Sequence, residues 1–224
     1  MLIQLGINLI LALSLYFPLS AGQLSLGQGG FMAIGAYVAS WLTAVLGWPW
    51  PVAFAVGAAA AGAVGALVGL PALRVRGIYL VLMTMAFGEI VRVFFLNFAP
   101  TGAAQGFRGM PFVTSLPVVA GLAGALWAHY VQFIEPEEFG FARSVMPFTF
   151  VVVGGIETFW GAIVGAAVLT LLPEWLRFLK EWRLALYGVA MLAVMIVRPQ
   201  GLIDHRLVGA VRRWLPGHAK EVAR

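Results

Sequence analysis

The sequence predicts an all-α, polytopic transmembrane bundle, and three observations carry that prediction. Residues Met1 to Leu73 contain no Asp, Glu, Lys or Arg, so the first ionised side chain is Arg74. Across the whole chain 62% of residues are apolar, only 10% are charged, and the mean hydropathy is +0.94. A soluble fold exposes charged side chains at short intervals and would have too little polar surface left to cover a core this rich. The apolar residues also fall into long uninterrupted runs, the signature of helices that satisfy their own backbone in lipid.

A spanning helix needs roughly 20 apolar residues, since each adds about 1.5 Å against a hydrocarbon layer of about 30 Å. On that ruler the runs are Leu2–Phe17, Gly29–Leu46, Pro51–Leu70, Ile78–Phe98, Val118–Ile134, Val145–Leu172 and Leu184–Val197. The sixth exceeds one crossing and is expected to break at Gly154 to Thr158, where two glycines and Glu157 weaken a helix, giving about seven or eight segments. The first run has no basic n-region and no small-residue cleavage site, and reads as a retained span rather than a signal peptide. Residues 1–203 form one transmembrane domain in this reading, followed by a basic tail over 204–224.

Between the first two runs, near residues 18–30, the chain is too polar for a span and too uncharged for an ordinary loop. A re-entrant or broken helix fits, with Gln23, Ser25 and Gln28 inside the protein, because irregular backbone survives at membrane depth only when buried or beside water. A short polar turn at the membrane surface is the alternative. Small residues mark where helices approach: Gly57, Ala61, Gly65 and Gly69 share one face, Ala120, Gly124 and Ala128 another, and Gly161 and Gly165 repeat the spacing.

Six of the fourteen basic residues follow Val197. With Arg74 and Arg76 they place that tail and the 74–76 loop on the cytoplasmic side under the positive-inside rule, which explains the net charge of +5 without a nucleic-acid partner. The loop Ala99–Pro117 and the acidic loop at Glu135, Glu137 and Glu138 both then face outward. A single adequate run, Val118–Ile134, separates them, so this run re-enters, the next crosses only once, or a span is missing.

Glu89 and Arg92 lie three apart within the fourth run, near mid-membrane, where an ionised side chain is expensive unless paired or wetted. A buried ion pair with a functional or a packing role is expected. His129 has no ligand-type neighbour at metal spacing and reads as a packed histidine. The tryptophans read largely as interfacial anchors, and cysteine is absent. No nucleophile elbow, zinc-protease signature, phosphate loop or dinucleotide fingerprint is present, which leaves a transport subunit, a channel or a structural membrane partner rather than an enzyme.

Three blocks carry a family resemblance: Ala21-Gly-Gln-Leu-Ser-Leu-Gly-Gln-Gly-Gly-Phe-Met-Ala-Ile-Gly-Ala-Tyr37, Gly69-Leu-Pro-Ala-Leu-Arg-Val-Arg-Gly-Ile-Tyr-Leu80 and Thr84-Met-Ala-Phe-Gly-Glu-Ile-Val-Arg92. In that order they resemble the LivM-type permeases of branched-chain amino acid ABC importers, as do Ala120–His129, Val153–Gly165 and Val197–Leu202 further on. The resemblance implies a multi-pass subunit of a bacterial inner membrane. It would pair with a related permease, receive substrate from a periplasmic binding protein and be driven by two cytoplasmic ATPase subunits that use ATP, with no cofactor on this chain. Gln23, Ser25 and Gln28, with Thr84, Glu89 and Arg92, are then the pathway candidates, and Arg74, Arg76 and Glu157 the cytoplasmic-side contacts. A permease for urea or short amides is the nearest alternative. Relatives carry a further span and a charged cytoplasmic loop between the outer loop and the Ala120 block, whereas here Pro117-Val-Val-Ala-Gly-Leu joins them directly. The same junction is where charge alone left one crossing unaccounted for. A chain reduced in this way to a non-transporting associate of partner subunits is the third reading.

Overall fold

The computed structural model describes residues 2–72, 74–75, 77–101, 103–108, 121–156 and 158–175, with 188, 189, 192 and 196. Arg76, Glu157, the junction after Pro117 and the basic tail lie outside the described residues, as does most of the Leu184–Val197 run. The architecture is helical: α1 Leu2–Ser20, α2 Gln28–Ala44, α3 Trp50–Ala72, α4 Ile78–Asn97, α5 Gly121–Val131, α6 Phe141–Gly154 and α7 Phe159–Trp175. Three of these, α1, α3 and α4, are long and apolar enough to cross a membrane alone, and a bent pair in the α6–α7 region adds a fourth candidate. The described strands are two residues each, β1 Phe107–Arg108 and β2 Phe133–Ile134, paired antiparallel.

The chain forms two compact units, 1–148 and 149–224. In the first, α2 is the core: Met32, Ala33, Ala36, Tyr37 and Ala39 are almost wholly inaccessible. Small residues allow this. A Cβ at Gly57 on α3 would stand 2.9 Å from the Gly35 carbonyl oxygen, and one at Gly124 on α5 would collide with the Met32 carbonyl oxygen. Without a side chain to separate them, the backbones gain dispersion contacts that lipid tails cannot match. Ala61 is buried on the same α3 face, and Gly65 meets the Phe31 ring; Gly69 has open space around it and borders a cavity.

Of the run Val118–Ile134, the described residues hold helix α5, Gly121–Val131, with roughly 16 Å of rise. Gly124 and Ala128 sit against the core, His129 Nε2 lies 3.0 Å from Thr43 Oγ1 near the C-terminal end of α2, and Phe133 then pairs with Arg108. Arg108 of the outer loop and Phe133, just before the acidic loop, therefore lie side by side at one end of this unit, the shared placement that charge patterning expects of the two loops.

In the second unit the expected break falls where two glycines allow it. α6 ends at Gly154, Gly155 takes φ +123°, and Thr158 Oγ1 accepts the Gly161 N–H at 3.1 Å as the N-cap of α7. A Cβ at Gly154 would strike the Gly161 carbonyl oxygen, and one at Gly165 the Phe150 carbonyl oxygen, so α7 folds back tightly on the last turn of α6.

Candidate functional site

The segment between α1 and α2 is irregular, and its geometry follows from three residues. Pro18 supplies no N–H to the Ser14 carbonyl, which loosens the last turns of α1. Gly22, at φ +74°, then stops the helix: its N–H bonds the Leu19 carbonyl and the Gln23 N–H the Pro18 carbonyl, each at 2.9 Å, the double closure of a Schellman cap. The chain turns inward and α2 starts below the end of α1, with the Ser14 hydroxyl 3.1 Å from Gln28 Oε1. Gln28 is only 7% exposed.

A cavity of about 470 Å³ occupies the space left beside this break. Ser14, Gln23, Ser25, Gln28 and Thr84 give it one polar wall; Gly62, Gly65, Gly69 and Ala72 of α3 give it a small, apolar one. None of its lining residues is ionised. It lies between the C-terminal turns of α1 and α3 and the N-terminal turns of α2 and α4, the end of the unit where Arg74 stands exposed. Four of the six pathway candidates from sequence, Gln23, Ser25, Gln28 and Thr84, are thus brought together.

The irregular backbone is satisfied by hydroxyls from distant helices, as buried backbone must be. The Leu26 N–H donates to Thr84 Oγ1 of α4 at 3.0 Å, and the Gly29 N–H donates to Ser144 Oγ of α6 at 2.9 Å. Neither Thr84 nor Ser144 could be paired with its partner from sequence, because the separations are 58 and 115 residues. Glycines make the approach of α2 to these neighbours feasible: a Cβ at Gly30 would lie 3.0 Å from Gly88 Cα, and one at Gly29 would lie 2.6 Å from the Phe139 carbonyl oxygen.

A second cavity, about 340 Å³, lies on the other side of the same segment, with Leu26, Gly88, Glu89, Phe139 and Ser144 in its wall. Glu89 belongs here, apart from the other pathway candidates, and Arg92 lines neither cavity.

Glu89 and Arg92 do pair, with Arg92 Nε donating to Glu89 Oε1 at 2.8 Å and a second bond from the Arg92 terminal nitrogen to the same oxygen. The pair differs from the expected buried one: the Glu89 side chain is 49% exposed and that of Arg92 24%. α4 turns its Gly88, Val91 and Phe95 stripe to the core, and at about 100° per residue position 89 cannot share that stripe. Intrahelical pairing compensates the two charges within α4 itself.

Trp127 departs from the interfacial role expected of the tryptophans. The Arg143 guanidinium lies 3.8 Å from its ring centroid, and its Nε1 donates to Glu138 Oε2 at 3.2 Å, which ties α5 to α6 across the acidic 3-10 turn Pro136–Phe139. Trp41, Trp48 and Trp50, by contrast, are partly exposed around the end of α2 and the start of α3. No cluster of three metal-ligating side chains occurs among the described residues, and His129 is spent on Thr43 and the Ala125 carbonyl.

The described residues thus form a helical membrane-protein fold with a broken helix, small-residue seams and a polar cavity at that break. The chain is a member of the branched-chain amino acid transport system permease component family, which it matches over residues 1–117 and again over 112–197. The two matches meet at the junction after the outer loop. Among curated relatives it is 28% identical over 291 aligned residues to the high-affinity branched-chain amino acid transport system permease protein LivM of Escherichia coli strain K12, covering 90% of this chain and 67% of the relative. The Salmonella typhimurium LT2 protein of the same name matches with the same identity and coverage. An alignment of 291 positions cannot be filled by 90% of a 224-residue chain, so these relatives carry residues with no counterpart here. No solved structure matches the chain.

Proposed function

We propose that the chain is the membrane-spanning permease subunit of an ABC importer for branched-chain amino acids and that the 470 Å³ cavity is part of its translocation path. The observation that carries this reading is the placement of Gln23, Ser25, Gln28 and Thr84 around one cavity at a helix break, in a family whose curated members named above transport such amino acids. The volume falls within the range of about 300–1,000 Å³ usual for small-molecule sites. Uncharged amides and hydroxyls on one wall suit the polar end of an amino acid, and the apolar small-residue wall suits an aliphatic side chain. An ionised lining would hold a zwitterion too firmly for release.

The related permease, two cytoplasmic ATPase subunits and a periplasmic binding protein are the partners in this reading. The membrane is a bacterial inner membrane, with Arg74 on the cytoplasmic side. Uptake by vesicles holding these partners and this chain, completed after Pro117 with the relatives' additional segment, tests the substrate class. Leucine, isoleucine and valine are expected to be taken up and urea is not; uptake of urea or a short amide alone would replace the reading with the amide-permease one.

A further inference from the structure

We propose that the two cavities are successive compartments of one path, and that the hydrogen bond from the Leu26 N–H to the Thr84 hydroxyl is the latch of the partition between them. This presupposes that the larger cavity is part of the path.

The partition is a single thin layer. Ser25 and Gln28 border the larger cavity while Leu26, between them, borders the smaller; on α4, Thr84 borders the larger and Met85, Gly88 and Glu89 the smaller. Adjacent residues thus face different compartments on both sides of the contact. Between this segment and α4, the layer is held by the Leu26–Thr84 bond, the close approaches of Gly27 and Gly30 to α4 and the Phe31–Phe87 ring pair, whose centroids are 4.9 Å apart. The glycine contact offers no interlocking side chains, and rings change rotamer without breaking hydrogen bonds. The directional element is the Thr84 hydroxyl, which accepts from Leu26 while its own proton goes to the Leu80 carbonyl at 3.0 Å, a bond internal to α4.

The Leu26 N–H belongs to irregular backbone, where no helical carbonyl waits to replace Thr84. Once released it must find water, and polar surface of the larger cavity is adjacent. Opening therefore exchanges one protein hydrogen bond for a hydrated one, an equilibrium poised by about the net value of a single bond. Thr84 acts in this scheme as a positioning residue: it sets the resting state of the partition and touches no reacting atom.

The natural absence of cysteine makes accessibility the direct assay. Single cysteines replace Ser25, in the larger cavity, or Leu26, whose backbone N–H is kept, and an impermeant thiol reagent is added to inside-out vesicles containing the full chain. With Thr84 intact, S25C is expected to react readily and L26C slowly. Adding Thr84→Val, which keeps shape but removes the acceptor, should accelerate L26C by roughly fivefold or more, the shift that loss of one net hydrogen bond produces. Thr84→Ser should restore the slow rate. Equal L26C rates in the Thr84, T84V and T84S chains would overturn the latch. S25C labelling reports separately on the larger cavity: a reactive S25C with unchanged L26C sinks the latch alone, whereas an inert S25C sinks the path reading beneath it. Should T84V fail to insert, Thr84→Ala, which also removes the acceptor, takes its place, and an L26C rate equal to that of the Thr84 chain would overturn the latch.

Discussion

Vesicles containing the 224-residue chain, its partner permease, the ATPases and the binding protein are expected to show little ATP-driven amino acid uptake. Insertion of a relative's span and cytoplasmic loop after Pro117 should raise it by at least about tenfold. The reasoning is mechanical. ATP hydrolysis moves a permease only if some cytoplasmic element of the permease follows the ATPase, and a tenfold effect needs only about 1.4 kcal/mol of coupling between the two sites. In this chain the described turn after α3 carries Arg74 and Val75 between Ala72 and Gly77, a small surface for such a contact. Robust uptake by the unmodified chain would show that the 74–77 turn and the tail suffice as the coupling surface.

Replacing Glu89 by Gln is expected to cost about 2–3 kcal/mol of stability in a bilayer, because it leaves the Arg92 guanidinium without the carboxylate that accepts two of its hydrogen bonds. Replacing both residues by Gln should cost less than replacing Glu89 alone, with a coupling of about 1–2 kcal/mol in a double-mutant cycle read from unfolding in nanodiscs. A cycle with no coupling would make the pair incidental.

Much of the architecture was legible because lipid leaves few options. The absence of charge up to Leu73 and the lengths of the runs located α1 to α4 to within about three residues at each end, and the polar stretch 21–27 marked the break between α1 and α2. Gly154 and Gly155 marked the division of the long sixth run for an equally local reason, the loss of helix propensity at paired glycines. Contacts between distant segments were not legible. Thr84 reads as an ordinary residue of an apolar helix until Leu26 is seen against it, and Ser144 until Gly29 is. The direction in which Glu89 points was also hidden, since large apolar residues occur on every side of α4 and its pattern names no single inner face. The placement of α5 was also hidden: Val118–Ile134 is apolar enough to face lipid, whereas the described helix Gly121–Val131 packs Ala123 and Ala128 into the core of the first unit.

The central claim is that the break before α2 borders a water-filled path open at the Arg74 end. Cysteine at Ser25, with Arg74→Cys and Trp48→Cys as markers of the two ends, tests it most directly. The account predicts that S25C and R74C react with an impermeant reagent only in inside-out vesicles and W48C only in intact cells, and that leucine slows S25C alone. An S25C that is unreactive from both faces, while the two markers behave as stated, would place the break in a dry environment and contradict the account.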